Sequence, residues 1–313
     1  MLLLRGYKLF ERVLKMSNFD LLDCALGSEL KRKGFDLPDW TNSIWSAQAI
    51  IDEPELIVEI HKESIEAGSS VITTSNYYAT PLILKEKDSS LDFKKLSETA
   101  LALAEEAIKS SGKDVMIAGC FPPINVSFRP DLTPAENEVE EFYEALSRIY
   151  KDRVDVILCE TMASIFEGNI AAKVATKNFD KVWLSWNTRG LDPAILPSGD
   201  ELIEAAKTVA KYPLDCQLIN CSHADLITQS LEIIKSCAPS IGVYANSSIY
   251  NAENSTLESY ENIAEVHYHH AKDITPEEYA DFAKKWIAMG CKVIGGCCTT
   301  TPEHIKLIAD LRT

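Results

Sequence analysis

Three cysteines and two acids carry the chemistry this sequence offers. Cys297 and Cys298 stand side by side in "GGCCTTTPEHI" (295–305), and Cys221 follows the apolar run "CQLIN" (216–220). Thiolates are soft donors that suit a zinc ion at about 2.3 Å, and catalytic zinc keeps three protein ligands and one open position. Taken alone, "GGCC" also fits buried packing or an occasionally oxidised vicinal pair, since cysteine is among the most buried residue types. The acids are Asp23 in "DLLDCA" (20–25) and Glu160 in "VDVILCE" (154–160). Each stands at the end of an apolar run, where an unpaired carboxylate is costly. Each therefore reads as a grip for a cationic group, such as the ammonium of an amino acid, or as a local cap or pair. Asn76 and Asn246 end two further apolar runs and are candidate substrate-binding residues on the same ground.

Residues so far apart in sequence share a site only if the fold gathers them. Continuously apolar, β-rich runs recur at 20–25, 70–75, 115–120, 154–160, 181–186, 216–220, 241–245 and 292–296, as expected for parallel strands covered on both faces. Helical patterns fill the gaps. Residues 53–67 place Pro54 in the first turn and Gly68 after the last, matching the usual start and stop residues. Residues 92–110 put Leu96, Ala100, Leu103 and Ala107 on one face. Further helices are predicted at 164–176, 200–210, 224–236 and 302–312, and "TPAE" (133–136) and "TPEE" (275–278) read as capping boxes.

Eight such units predict a single-domain (β/α)8 barrel rather than a doubly wound sheet. The helix-to-strand links are short, whereas most strand-to-helix links are long: 27–52, 76–91, 121–133, 187–199 and 246–274. That asymmetry puts the long loops on the C-terminal rim, where barrel active sites are built. Adjacent side chains of a strand point to opposite faces, so Gly295 and Gly296 are expected to bend the chain until both neighbouring thiols face one point.

Composition narrows the partners. The 313 residues carry a net charge of -16, which argues against a nucleic-acid or anionic-membrane surface. No apolar run is long enough to span a bilayer. Residues 1–16 read as an N-terminal extension, disordered or helical, ahead of a barrel over 17–313. Their apolar stretch is broken at once by Arg5 and Lys8, unlike a signal peptide. Nine cysteines without a regular spacing point to a reducing cytoplasm rather than a disulfide framework. His223 is a possible fourth ligand or simply a helix start, and "HYHH" (267–270) reads as a solvated loop. Trp40, Trp45, Tyr77 and Tyr78 fall on rim loops, as lids, packing, or a cation–π face for a cationic substrate.

On these residues the chain resembles the homocysteine S-methyltransferase family from about Phe19 to Ala309. "DCALGSEL" (23–30) is similar to its opening element, "IHKESIEAGSSVITTSNYYATP" (60–81) to its second unit, and "LCET" (158–161) to its glutamate strand. "INC" (219–221) resembles the first cysteine motif, and "GGCCTTTPEHI" the closing pair. The resemblance implies a Zn2+-dependent barrel in which Cys221, Cys297 and Cys298 hold the metal. Glu160 and Asp23 would bind the amino end of homocysteine, and a methyl group would pass to its thiol to give methionine. Cys24 and Ser28 depart from a usual glycine and threonine. Thr161 stands where betaine-using members carry tyrosine, and no folate or cobalamin module follows. S-methylmethionine or another small sulfonium is therefore the expected donor, with betaine or another donor or thiol acceptor as the alternative. A phosphate-handling lyase or isomerase cradling its ligand at Gly295-Gly296 is a rival, although no lysine ends a predicted strand. A zinc-binding protein without activity is a second rival. Oligomeric state has no signature.

Overall fold

Strand β1 (Asp20–Leu21) starts a parallel sheet that runs through β2 (Val71–Thr73), β3 (Met116–Phe121), β4 (Val156–Met162), β5 (Val182–Trp186), β6 (Cys216–His223), β7 (Ile241–Asn246) and β10 (Val293–Gly296). Residues 19–39, 42–188, 191–251 and 271–312 are described by this computed structural model. The expected extension over 1–16, Trp40 and "HYHH" lie outside them. The eight strands pair in the order β1-β10-β7-β6-β5-β4-β3-β2, all parallel. A backbone bond and bonds to side chains join β1 to β2. Leu21 N donates to Ser70 Oγ at 2.9 Å, Ser70 N donates to Leu21 O at 2.9 Å, and Thr73 N donates to the Asp23 carboxylate at 2.9 Å. The result is the expected single-domain (β/α)8 barrel; β1 is shorter than the run 20–25, although Leu22 N still donates to Ile294 O (2.8 Å) and Asp23 O still accepts from Gly296 N (3.2 Å).

Alternation along each strand separates two apolar layers. Val156 and Leu158 face inward with Leu22, Val71, Trp183, Leu218 and Val293, while Ile157 and Cys159 face outward against the helices. The helices arise where the sequence places their signals. Pro54–Ala67 ends at Gly68, whose φ of 113° only glycine adopts readily. Pro276–Met289 starts with a full capping box, Thr275 accepting from Glu278 N and the Glu278 carboxylate accepting from Thr275 N. "TPAE" forms no such box. The helix Glu136–Tyr150 starts after Ala135, and Thr133 instead turns its hydroxyl toward buried Glu167.

The rim loops hold more structure than expected. The segment 27–52 folds into a helix (Leu26–Arg32), a 3-10 turn (Trp45–Gln48) and one further turn (Ala49–Asp52). The link after β7 contains an antiparallel pair, β8 (Ser248–Tyr250) and β9 (Ala271–Asp273).

Candidate active site and metal centre

At the C-terminal mouth of the barrel a cavity of about 200 Å³ gathers Asp23, Glu160, Cys221, Cys297 and Cys298. Three local irregularities aim them there. In β4 the register moves from Cys159↔Leu184 to Met162↔Trp186, so one extra residue is inserted, and Thr161 sits at φ 57°. In β6 it moves from Asn220↔Tyr244 to His223↔Asn246, again with one extra residue, and Cys221 sits at φ 56°. Bulges of this kind re-aim side chains at sheet ends. After β10 a tight turn closes as Thr300 N donates to Cys297 O at 3.1 Å, with Thr299 at φ 64°.

This turn corrects the expected role of the glycines. Gly295 and Gly296 are regular strand residues, and the bend lies at Thr299. A Cβ on Gly295 would lie 2.5 Å from Leu22 Cβ, and one on Gly296 2.2 Å from Thr300 Oγ1. Close approach of β1 and of the turn, not a special dihedral, requires them.

The three thiols lie within 4.8 Å of one another, and the Cys221 and Cys298 sulfurs are 3.7 Å apart. Tetrahedral zinc with bonds of about 2.3 Å sets neighbouring sulfurs about 3.8 Å apart, so the spacing and donor chemistry fit the ion. Cys297 and Cys298 beside it, and then burial, hold the Cys221 thiol well above the usual range. A dication in the centre reverses that balance and favours thiolates.

On the same cavity wall burial pushes Glu160 up to about 8, the Cys120 thiol opposing and the Asp23 charge adding to the rise. Burial likewise pushes Asp23 up to about 7, although Thr73 donates to it from its amide at 2.9 Å and its hydroxyl at 3.2 Å. Among the described residues neither carboxylate has a lysine or arginine beside it, and none of the residues lining the cavity is basic; the His61 ring lies 3.9 Å from Asp23, and burial lowers its pKa to about 4. Two acids without a counter-cation suit an ammonium ligand and do not suit a phosphate, which removes the main attraction of the phosphate-handling rival. Trp45, Tyr77, Tyr78 and Phe128 line the cavity as an aromatic rim, with the Tyr77 hydroxyl 2.8 Å from Ser127 Oγ.

Two expected residues are not brought to the cavity. Asn76 is fully buried three residues beyond β2, where it accepts from Thr74 Oγ1 (2.7 Å) and Tyr150 (2.8 Å) and donates to Cys120 O (3.3 Å). Asn246 is buried where β7 runs on toward β8, and the cavity-facing residue of that strand is Tyr244. His223 stands apart from the thiol cluster at the start of the helix Ala224–Ile234, with Nδ1 2.8 Å from Ser248 Oγ. The reading of strand ends passed over Leu158, Thr73, Ser127 and Phe128, which also line the cavity. Strand alternation identifies Leu158 once Glu160 is known to face inward. The loop residues carry no such signal.

The homocysteine S-methyltransferase family model matches residues 20–311. The chain is 28% identical over 306 residues to homocysteine S-methyltransferase of Escherichia coli (strain K12), covering 92% of this chain and 93% of the relative. It is 27% identical over 311 residues to homocysteine S-methyltransferase YbgG of Bacillus subtilis (strain 168), covering 92% and 93%. The crystal structure of the homocysteine methyltransferase MmuM from Escherichia coli in its metallated form superposes with a TM-score of 0.75 at 25% identity, covering 94% of this chain and 96% of that one.

Proposed function

Because the chain belongs to the homocysteine S-methyltransferase family and is a methyltransferase, we propose that it methylates the thiol of homocysteine, using a small sulfonium donor, S-methylmethionine first among them, to give methionine. The observation that carries this reading is the meeting of three thiols and two uncompensated carboxylates in one cavity. Cys221, Cys297 and Cys298 would hold zinc, which supplies, when bound, a Lewis-acidic open position where a thiol ionises near neutral pH.

The remaining work falls to the protein's own side chains. Glu160 and Asp23 take the substrate's ammonium group, whose charge restores their ionised form against burial. Fixing the amino end of the acceptor orients its sulfur toward the thiol cluster, turning a bimolecular collision into a local one. The sulfur then attacks the donor methyl carbon in line. The old carbon–sulfur bond breaks with its electron pair on the donor sulfur, and the acceptor's thiol proton goes to solvent. The aromatic rim of Trp45, Tyr77 and Tyr78 offers ring faces to a cationic donor and favours a sulfonium over an uncharged one. Betaine, a zwitterion whose quaternary ammonium could meet the same ring faces, is the competing donor. Thr161 supports the sulfonium, since betaine-using relatives resemble this chain but carry tyrosine there.

Residues 17–313 are proposed as one functional domain. The nine free thiols favour a reducing, cytoplasmic setting, and no helix among the described residues is long and apolar enough to cross a membrane. Purified protein should hold one zinc per chain and form methionine from homocysteine and S-methylmethionine. Stoichiometric zinc in a chain lacking all three cysteines would overturn the metal assignment, and activity with betaine alone would overturn the donor.

A further inference from the structure

We propose that Asn220 and Thr161 form a positioning bridge that couples the thiol cluster to the acceptor's amino-group site, an inference that rests on the assignment of those two sites above. Glu160 and Cys221 reach the cavity from bulges in β4 and β6, strands separated by β5. Each bulge contains a residue in the left-handed region, Thr161 at φ 57° and Cys221 at φ 56°. That region is sparsely populated for any side chain and least of all for a β-branched one. Such backbone persists only where its surroundings over-determine it.

The surroundings here are a single buried polar network. Asn220 Nδ2 donates to Thr161 Oγ1 at 2.8 Å, and Ser185 of the intervening strand donates to Asn220 Oδ1 at 2.6 Å. Asn187 Nδ2 donates to the backbone oxygens of Asn220 (3.1 Å) and Cys221 (3.2 Å). Asn220 and Thr161 are 1% exposed, and Ser185 and Asn187 are fully buried. One carboxamide therefore holds the bulge that aims Glu160 while its own main chain leads into the bulge that aims Cys221. A shift of either bulge moves the other through the Asn220–Thr161 bond, so occupancy of one site biases the geometry of the other. Reciprocity follows: if the amino-group ligand tightens the metal, the metal tightens that ligand by the same factor.

The test is the rate at which the zinc-loaded full-length chain loses zinc to a chelator, with and without L-norleucine. This probe has methionine's shape and ammonium but no sulfur to bind the metal. Thr161→Val keeps the branched shape, leaves all three thiols in place, and removes the hydroxyl that accepts from Asn220. It is expected to lose zinc about tenfold faster, in the range known for outer-shell changes around metal sites, and to lose the protection that L-norleucine confers on the parent. Thr161→Ser restores the hydroxyl and should restore both properties. Asn220→Ala should behave as Thr161→Val does; if it fails to fold, the threonine pair still decides. Parental zinc loss and parental response to L-norleucine in Thr161→Val would overturn the bridge. A parent chain that binds no zinc would overturn the metal assignment and the coupling with it. A purely structural role would lower Tm without removing the L-norleucine effect.

Discussion

At the scale of single residues, burial raises the proton affinity of both acids in the cavity. Glu160 is pushed to about 8 and Asp23 to about 7, in both cases chiefly by burial. A carboxyl group whose folded-state pKa is raised binds more protons folded than unfolded. Its stabilising contribution is therefore fully present below about pH 4 and is lost as pH rises through the folded value. The metal-free protein is expected to lose thermal stability between about pH 4 and 8. Glu160→Gln should flatten that decline and raise Tm at pH 8 by a few degrees, while raising the KM for homocysteine by about 100-fold, the scale of a lost charge-assisted bond. Thermal unfolding in chelator across this range, paired with steady-state kinetics, checks both signs. Cys298→Ala should lose tightly held zinc and methionine formation together, read by metal analysis and product assay. The meeting of the three thiols was legible in the sequence because Cys221 and the Cys297–Cys298 pair each follow an apolar run that ends on the same rim. Asn76 and Asn246 were not, because position at a strand end does not say which way a side chain turns, and Asn76 turns inward to Tyr150 and Cys120.

At the scale of elements, propensity and capping chemistry located most boundaries, and local context overrode them where a buried partner competed. "TPEE" became a capping box, whereas Thr133 of "TPAE" was drawn to Glu167. The bulges in β4 and β6 were invisible, since an extra residue in an apolar strand leaves no mark on an already continuous apolar pattern. The glycines of "GGCC" were legible as important but for a different reason from the one the sequence suggested. Gly296→Ala must push its methyl against Thr300 Oγ1, which also donates to Cys297 O at 2.6 Å. The substitution should destabilise by about 1–3 kcal/mol through overpacking and weaken zinc retention. Equilibrium denaturation and chelator competition would show the two losses, and a parental midpoint would contradict the geometry. Thr275→Ala, far from the cavity, should cost about 1 kcal/mol of cap energy and leave KM values unchanged.

At the scale of the whole molecule, eight regular apolar runs and the asymmetry of link lengths were enough to read a closed barrel, because closure is a global pattern. The weakest join, between β1 and β2, was not legible. There Arg312 donates to Gly68 O (3.0 Å), Phe19 O (2.9 Å) and Ser70 Oγ (2.8 Å). Arg312→Ala removes three bonds at the base of that join, so Tm should drop by several degrees with turnover at 25 °C retained. Differential scanning calorimetry with parallel assay tests this.

Asp23 closes the same join from the other end, and its carboxylate also faces the cavity. The acid proposed to grip the ligand is thus also a fastener of the wall. An amino acid that draws Asp23 into its charged form gives Thr73 a stronger acceptor, so loading the pocket tightens the barrel's own circumference. The exchange of the Thr73 amide with deuterated solvent then becomes a gauge of occupancy, slowing when the pocket fills even if no chemistry takes place.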